Sequence, residues 1–565
     1  MSSNDESDER YRDHGGTGDE MQDNNSEDVI HLDQDSIVKL KSMREKVNWK
    51  NVVERNDLLD ELYPLVSDWK GQLPNLRDIF RPEEIDWILI EDVMDINPDF
   101  EVPIVDFVIM TGYKDEPEVG KDGKPSSCRT TALHHATKCN PFCVKDLFKI
   151  YNRFDVNYTN ESGLTHFHVA CKNNCYEEVE KFIELGQDPN CPAQKSVKPP
   201  LHMVLKGEHV EMFEFLLRQG ANPNLPNKKG FTLLHDICQR GYDKYMAEML
   251  FEFSQERYQP VQVDARDKYG ETPLHLAVYF GNRKMMEMLL RKGADANSTN
   301  NKGSTPLHTI CKGYEPIDYE LAEIFFKIND ELQQTVLVDA RDQLGRTPLQ
   351  LAVANLMPHE VDALLDNGAD ISSFVFPISS YYAKRLEQRH YEISLDFKLR
   401  LASGALIIIE SLEKKGYELN RSDALTIMIL FVKYRLLEKS ADIEKCYNDE
   451  EFTSKSKHQM VNSNLSLYDL IRLRTEKVKN VLTPKEYFEF AHSGDLCKLP
   501  KGPSETCAVY LCEMLSRTFF RRWALGSFLE LTRYRLPILC CDTIFENLKN
   551  EDLRRICLAA TGQSS

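Results

Sequence analysis

The chain has 565 residues, 41% of them hydrophobic and 28% charged, a balance that fits packed globular structure and argues against wholesale disorder or a membrane bundle. Its 70 Lys/Arg against 90 Asp/Glu give a net charge of −20 with no Lys/Arg-dominated domain, which excludes nucleic acid as the main partner. Fifteen cysteines without framework spacing read as reduced thiols, and no apolar run reaches the roughly 20 residues of a membrane span, so the protein is expected in the cytoplasm or nucleus without a membrane partner.

Residues 1–36 hold twelve Asp/Glu against two Arg and almost no large apolar side chains, which predicts a disordered acidic tail. From 37 to 101 the spacing turns helical, as in Leu58, Leu59, Leu62 and Leu65, then Ile85, Ile88 and Leu89. Pro82-Glu83-Glu84 has the character of a first helical turn. Phe107–Gly112 reads as the second helix of a worn first repeat, and Asp115–Ser127 as a long exposed loop.

A tetrapeptide then recurs: Thr131-Ala132-Leu133-His134, Thr165-His166-Phe167-His168, Pro199-Pro200-Leu201-His202, Thr232-Leu233-Leu234-His235, Thr272-Pro273-Leu274-His275, Thr305-Pro306-Leu307-His308 and Thr347-Pro348-Leu349-Gln350. The starts are 34, 34, 33, 40, 33 and 42 residues apart, a base period near 33 with two insertions. Helical spacing and a Gly-centred stop follow each one, as in Leu289-Leu290-Arg291-Lys292-Gly293-Ala294-Asp295. Over 102–373 the pattern resembles the ankyrin repeat, a β-turn hairpin plus two antiparallel helices. Thr caps the first helix, Pro fits its first turn, Leu fills the core between repeats, and Gly supplies a left-handed stop. One unit cannot bury its own apolar face, so neighbours must stack.

Val263-Asp264-Ala265-Arg266-Asp267 recurs as Val338-Asp339-Ala340-Arg341-Asp342, and the insertions are expected near Phe253–Val261 and Asn329–Leu337 as longer second helices and loops. In this family the repeated His bonds turns and neighbouring repeats, so Thr131, His134, Thr165, His168, His202, Thr232, His235, Thr272, His275, Thr305, His308 and Thr347 are assigned structural roles. The same spacing weighs against metal binding by these histidines, or by Cys139/Cys143 and Cys171/Cys175 with their neighbouring His. No nucleophile elbow, zinc-protease motif or kinase signature is present, so no catalytic residue, cofactor or metal is expected. Client contacts are expected at exposed hairpin tips: Asn160 and Glu161, Lys228 and Lys229, Lys268 and Tyr269, Asn300 and Asn301, Gln343 and Leu344.

Residues 374–464 keep helical spacing without the repeat signature and read as degenerate helical repeats, with a polar loop or insertion over 445–464. The block 465–565 contains Leu467-Tyr468-Asp469-Leu470-Ile471, Phe519-Phe520-Arg521-Arg522-Trp523 and Leu536-Pro537-Ile538-Leu539-Cys540-Cys541. Following an ankyrin array, this resembles the PRANC domain of poxvirus and parasitoid-wasp proteins, a truncated F-box-like module. The resemblance implies docking on the Skp-type linker of a cullin ubiquitin ligase through Leu536, Pro537, Cys541, Ile544 and Leu548. Leu539 or Cys540 stands where F-box helices usually carry an acid after Leu-Pro. By residue pattern alone, the stripe Cys540/Cys541, Ile544, Phe545 and Leu548 serves equally as a partner surface or as domain core against Phe519, Phe520, Trp523 and Leu525. Arg517, Arg521, Arg522, Arg533 and Arg535 read as a solvated face or as a contact to an acidic partner.

The expected fold class is therefore all-α: an ankyrin-repeat solenoid of helix pairs with β-turn hairpins, followed by a C-terminal helical domain. The expected function is a non-enzymatic adaptor between a client protein and a ubiquitin ligase, or else a plain scaffold or host-interaction effector without a ligase link.

Overall fold

A computed structural model describes residues 25–95, 101–117, 126–191, 197–241, 244–255, 260–313, 320–377, 395–437, 443–473 and 482–562. They fall into two compact units, Met1–Asn222 and Pro223–Ser565. Most of the expected acidic tail lies outside the described residues. Helical backbone starts at Asn25, within that tail, and runs to Lys46.

In the first unit, Pro82–Met94 opens with Pro in its first turn and two acids facing the positive end of the helix dipole. It packs on Ala132–Cys139, while Pro103–Met110 packs on Val144–Ile150, so these two pairs stack as repeats. Asp92, 1% exposed, staples the upstream pair by accepting the Val105 N–H at 2.8 Å. The pairs His166–Lys172 with Tyr176–Glu184 and Pro200–Lys206 with Val210–Arg218 continue the stack. The expected loop from Asp115 is irregular and exposed at Glu116, Ser126 and Ser127, but Asp115 itself is buried. It is 2% exposed and ion-paired at 2.7 Å to Arg129, which also pairs with Asp86, and Tyr158 Oη donates to it at 2.7 Å. Residues 118–125 of that loop lie outside the described residues.

In the second unit, the pairs are Leu233–Arg240 with Lys244–Gln255, Pro273–Tyr279 with Arg283–Arg291, Pro306–Lys312 with Leu321–Glu331, and Pro348–Ala354 with Pro358–Asp366. The second helices of the two long repeats have 12 and 11 residues against 9 in Arg283–Arg291. Each insertion is clamped by an asparagine. Asn224 Oδ1 accepts the Gln262 N–H at 2.8 Å and its Nδ2 donates to the Pro260 carbonyl at 3.1 Å. Asn297 repeats this with Leu337 at 2.8 Å and Thr335 at 2.7 Å. The duplicated Val-Asp-Ala-Arg-Asp motif has a structural cause: Asp264 and Asp339 each accept, at 3.1 Å, the backbone N–H of Asp295 and Asp370.

Beyond residue 394, Leu395–Lys414 packs on Pro358–Asp366 and also on Pro484–His492 and Lys501–Leu531, so the chain on both sides of Leu465 builds one core. The polar stretch 445–464 is not a loop. It holds the helix Glu450–His458, anchored by fully buried Phe452, and the strand Met460–Asn462, antiparallel to Leu465–Ser466. Polarity misled because that helix buries little more than one aromatic ring.

Candidate functional site

The hairpin tips of the second unit are built by one repeated device. Asn227, Asp267, Asn300 and Asp342 each aim Oδ1 at two backbone N–H groups of their own turn, for example Tyr269 at 2.7 Å and Glu271 at 2.8 Å for Asp267. A glycine three residues on closes the turn at positive φ, as Gly270 does at 74°. Only glycine fits there, because a Cβ on Gly270 would lie 2.7 Å from the Asn301 backbone nitrogen. The tips are joined by backbone bonds: Lys268 N–H to the Lys229 carbonyl at 3.1 Å, Asn301 N–H to Tyr269 at 2.9 Å, and Gln343 N–H to Lys302 at 3.0 Å. The outcome is a hydrogen-bonded ladder that holds outward side chains at fixed intervals.

Two expected contact residues need correcting. Asn300 is 7% exposed and Asn160 is half-buried with Oδ1 accepting the Ser162 and Leu164 N–H groups, so both are turn staples. Counting from Gly-x-Thr put them one place too early relative to the other tips. Glu161, Lys228, Lys229, Lys268, Tyr269, Asn301, Gln343 and Leu344 are exposed. Lys302, which sequence counting passed over, is exposed beside Asn301. Asn301 and Gln343 also brace the ladder, donating to the Lys268 carbonyl at 3.1 Å and the Asn301 carbonyl at 2.8 Å.

Beneath the tips, the repeated histidines are consumed by the scaffold. His275 Nδ1 accepts the Thr272 N–H at 3.2 Å, and Nε2 sits 3.0 Å from the Ser304 carbonyl of the next repeat. Accepting at Nδ1 leaves the proton on Nε2, which donates. His134, His235 and His308 reach the carbonyls of Leu164, Glu271 and Arg346 in the same way, at 3.0, 3.1 and 3.0 Å. Gln350 substitutes for His, with Oε1 accepting the Thr347 N–H at 3.0 Å and Nε2 donating to the Val375 carbonyl at 3.2 Å. Thr165, Thr272 and Thr305 accept the N–H of the His three residues on, at 3.2, 3.4 and 3.3 Å, and Thr347 accepts that of Gln350 at 3.3 Å. Thr131 and Thr232 each donate their backbone N–H at 3.1 Å to His134 and His235. His168 bonds Thr165 through Nδ1, but its Nε2 has no partner, and His202 is buried. Burial pushes His134, His168 and His275 down to about 4, so these imidazoles are neutral.

No group of three or more His, Cys, Asp or Glu able to hold a metal occurs among the described residues. Cys143, Cys171 and Cys175 are buried, and burial drives the Cys143 and Cys175 thiols up to about 12, against the thiolate form that a metal or a nucleophilic reaction needs.

At the other end, Leu536 is half-buried and Pro537 exposed, immediately before the helix Ile538–Glu546. Cys541 is fully buried with Phe545, whose ring lies 5.5 Å from that of Phe528, so Cys541 belongs to the core and not to an accessible interface. Ile544 is 39% exposed, and Leu548 is half-buried. Ile538 and Leu539, at 57% and 80%, are the most exposed apolar side chains of this helix. Of the stripe read from the sequence, Cys541 and Phe545 face the core while Cys540 and Ile544 are exposed, and the inward i, i+4 pattern of Cys541 and Phe545 matches that of Leu553 and Cys557 in the helix Asn550–Ala559. Arg517 donates to Asn550 Oδ1 at 3.1 Å and to the Phe545 carbonyl, Arg521 pairs with Asp542 at 3.2 Å, and Arg522 pairs with Glu413 at 2.8 Å. These arginines brace the domain, whereas Arg533 and Arg535 are exposed.

Models of ankyrin repeats match residues 167–217, 201–300 and 289–374. These residues are ankyrin repeats, and the described fold is a predominantly helical ankyrin-repeat solenoid with a C-terminal helical region. Human transient receptor potential cation channel subfamily A member 1 is 29% identical over 174 residues, 30% of this chain and 15% of the channel. Palmitoyltransferase AKR1 of Lachancea kluyveri is 28% identical over 152 residues, 27% of this chain and 20% of the enzyme. The chain thus spans a fifth or less of the length of these relatives. A crystal structure of the ankyrin repeat domain of Bcl-3 is 22% identical, with a TM-score of 0.32, covering 38% of this chain and 90% of that one. The matched residues of the repeat models end at 374. No described helix is long and apolar enough to cross a membrane.

Proposed function

We propose that this chain is a non-enzymatic adaptor whose ankyrin repeats hold a client polypeptide and whose C-terminal helices engage a second partner, the Skp-type linker of a cullin ubiquitin ligase. The observation that carries the client half is the stapled ladder of tips, where the turns are closed by staples and backbone bonds and side chains such as Lys228, Lys268, Tyr269 and Leu344 stand exposed. Support for the ligase half is narrower: the F-box-like Leu536-Pro537 start, followed by Ile538 and Leu539 standing in solvent. In favour of a plain scaffold, the burial of Cys541, Phe545, Leu553 and Cys557 fits a block that closes the array. The stretch shared with the palmitoyltransferase covers only a fifth of that enzyme, so transfer chemistry does not follow from it.

The two halves are separable. Ile538→Asp with Leu539→Asp alters only exposed side chains and leaves the buried face intact. Loss of co-precipitation with the linker while the client is kept supports the adaptor. Absence of linker binding in the wild type leaves the plain scaffold.

A further inference from the structure

The tips of the second unit carry a charge opposite to that of the chain. Lys228, Lys229, Lys268 and Lys302 are exposed on consecutive turns of the ladder. Lys228, Lys268 and Lys302 form no ion pair with a described residue, and Lys229 lies 5.7 Å over the ring of Phe231. Acids on the same turns are spent: Asp267 and Asp342 are buried as staples, and Glu271 is held by Asn300 Nδ2 at 2.8 Å. Half-buried Glu271 lies within electrostatic reach of Lys302, and within a chain of net charge −20 the four exposed ammonium groups of the row outnumber it.

The row also has apolar anchors. Tyr269 and Leu344 are each 68% exposed and Val375 is 66% exposed. Leu344 and Val375 stand at the rim of a cavity of about 250 Å³, lined further by Leu351, Ala354, Phe376 and the Arg346 side chain. That volume accommodates one leucine or phenylalanine side chain. Stacked helices lie about 10 Å apart, so the Lys268 and Leu344 tips, two steps apart, are separated by about 20 Å. An extended peptide covers that distance in about six residues.

We infer that the tip ladder Lys228–Val375 binds an acidic, extended polypeptide segment whose carboxylates meet Lys228, Lys268 and Lys302 and whose apolar residue, about six positions away, enters the cavity beside Leu344. This rests on the reading of the tips as the client surface and specifies the client's chemistry. Charges on such a rim govern association rate and salt dependence, and the cavity governs residence time.

The test is selection of a displayed library of random twelve-residue peptides on the immobilised full chain. It is run in parallel on Lys268→Glu/Lys302→Glu and on Leu344→Asp, with circular dichroism confirming that all three proteins are folded. Selected peptides are expected to be rich in Asp and Glu with a Leu or Phe about six residues from the acidic cluster. Their affinity should fall about tenfold or more in the lysine variant and with added salt. Lys268→Gln/Lys302→Gln should give a smaller loss. An acidic consensus that both variants bind unchanged overturns the inference, because the site is then elsewhere. A neutral or basic consensus that the variants lose overturns it while leaving protein binding at the tips intact. Tighter retention of a single-stranded oligonucleotide than of any peptide overturns both.

Discussion

Replacing His275 with Leu tests what ties one repeat to the next. Leucine has a similar volume, so the loss is mainly that of hydrogen bonds. His275 and Ser304 are both fully buried, so the substitution orphans the Ser304 carbonyl, bonded at 3.0 Å, and the Thr272 N–H, bonded at 3.2 Å. An unsatisfied buried group costs about 1–3 kcal/mol, giving about 2–6 kcal/mol for the two. His168→Leu is the internal control, because His168 Nε2 has no acceptor to lose. Its cost should be about 1–3 kcal/mol. Repeat arrays need not unfold in one step, so the readout is hydrogen exchange of the helices Pro273–Tyr279 and Pro306–Lys312 against urea. Equal losses in the two variants, or a loss below about 0.5 kcal/mol for His275→Leu, would refute the inter-repeat bond as a source of stability.

Burial raises the Asp92 carboxyl to about 7, above its unfolded value near 3.9. The folded state therefore keeps a proton that the unfolded chain loses, and the Asp92 contribution to stability falls as pH rises from about 4 to about 7. Asp92→Asn should flatten urea-denaturation stability across that window. Asn297→Ala removes both clamps on Thr335–Leu337, and limited proteolysis should cut near Gln334 faster, with a stability loss of only about 1 kcal/mol because the site is exposed. Gly270→Ala combines φ of 74° with a Cβ 2.7 Å from the Asn301 nitrogen, so it should cost about 2 kcal/mol and speed amide exchange at Asn301.

The repeated Thr-x-x-His was legible because one residue type serves one bond at one spacing. The ring nitrogens that made a metal site conceivable are those that bind Thr272 and Ser304. The Asn224 and Asn297 clamps were not legible, since an isolated asparagine beside an insertion says nothing about which backbone it meets. Lys302 was missed for a related reason: turn staples alternate between Asn and Asp, and the offset from Gly-x-Thr slipped by one in two repeats. At the C-terminus, Ile544 and Leu548 matched a helical stripe as well as Cys541 and Phe545 did. Packing against Phe528, invisible in the local pattern, chose the latter. Three lysines of the tips, Lys228, Lys229 and Lys268, were legible from the repeat, but −20 for the whole chain masks the row that they form with Lys302.

Tip-mediated binding of a client is tested most directly by the hydrogen-exchange footprint of a purified client polypeptide on the full chain. Protection concentrated in the turns 267–271, 300–304 and 342–346, and abolished by Lys268→Glu/Lys302→Glu, is the expected result. Protection confined to the second helices or to residues beyond 394, with those turns exchanging as in the free chain, would contradict it.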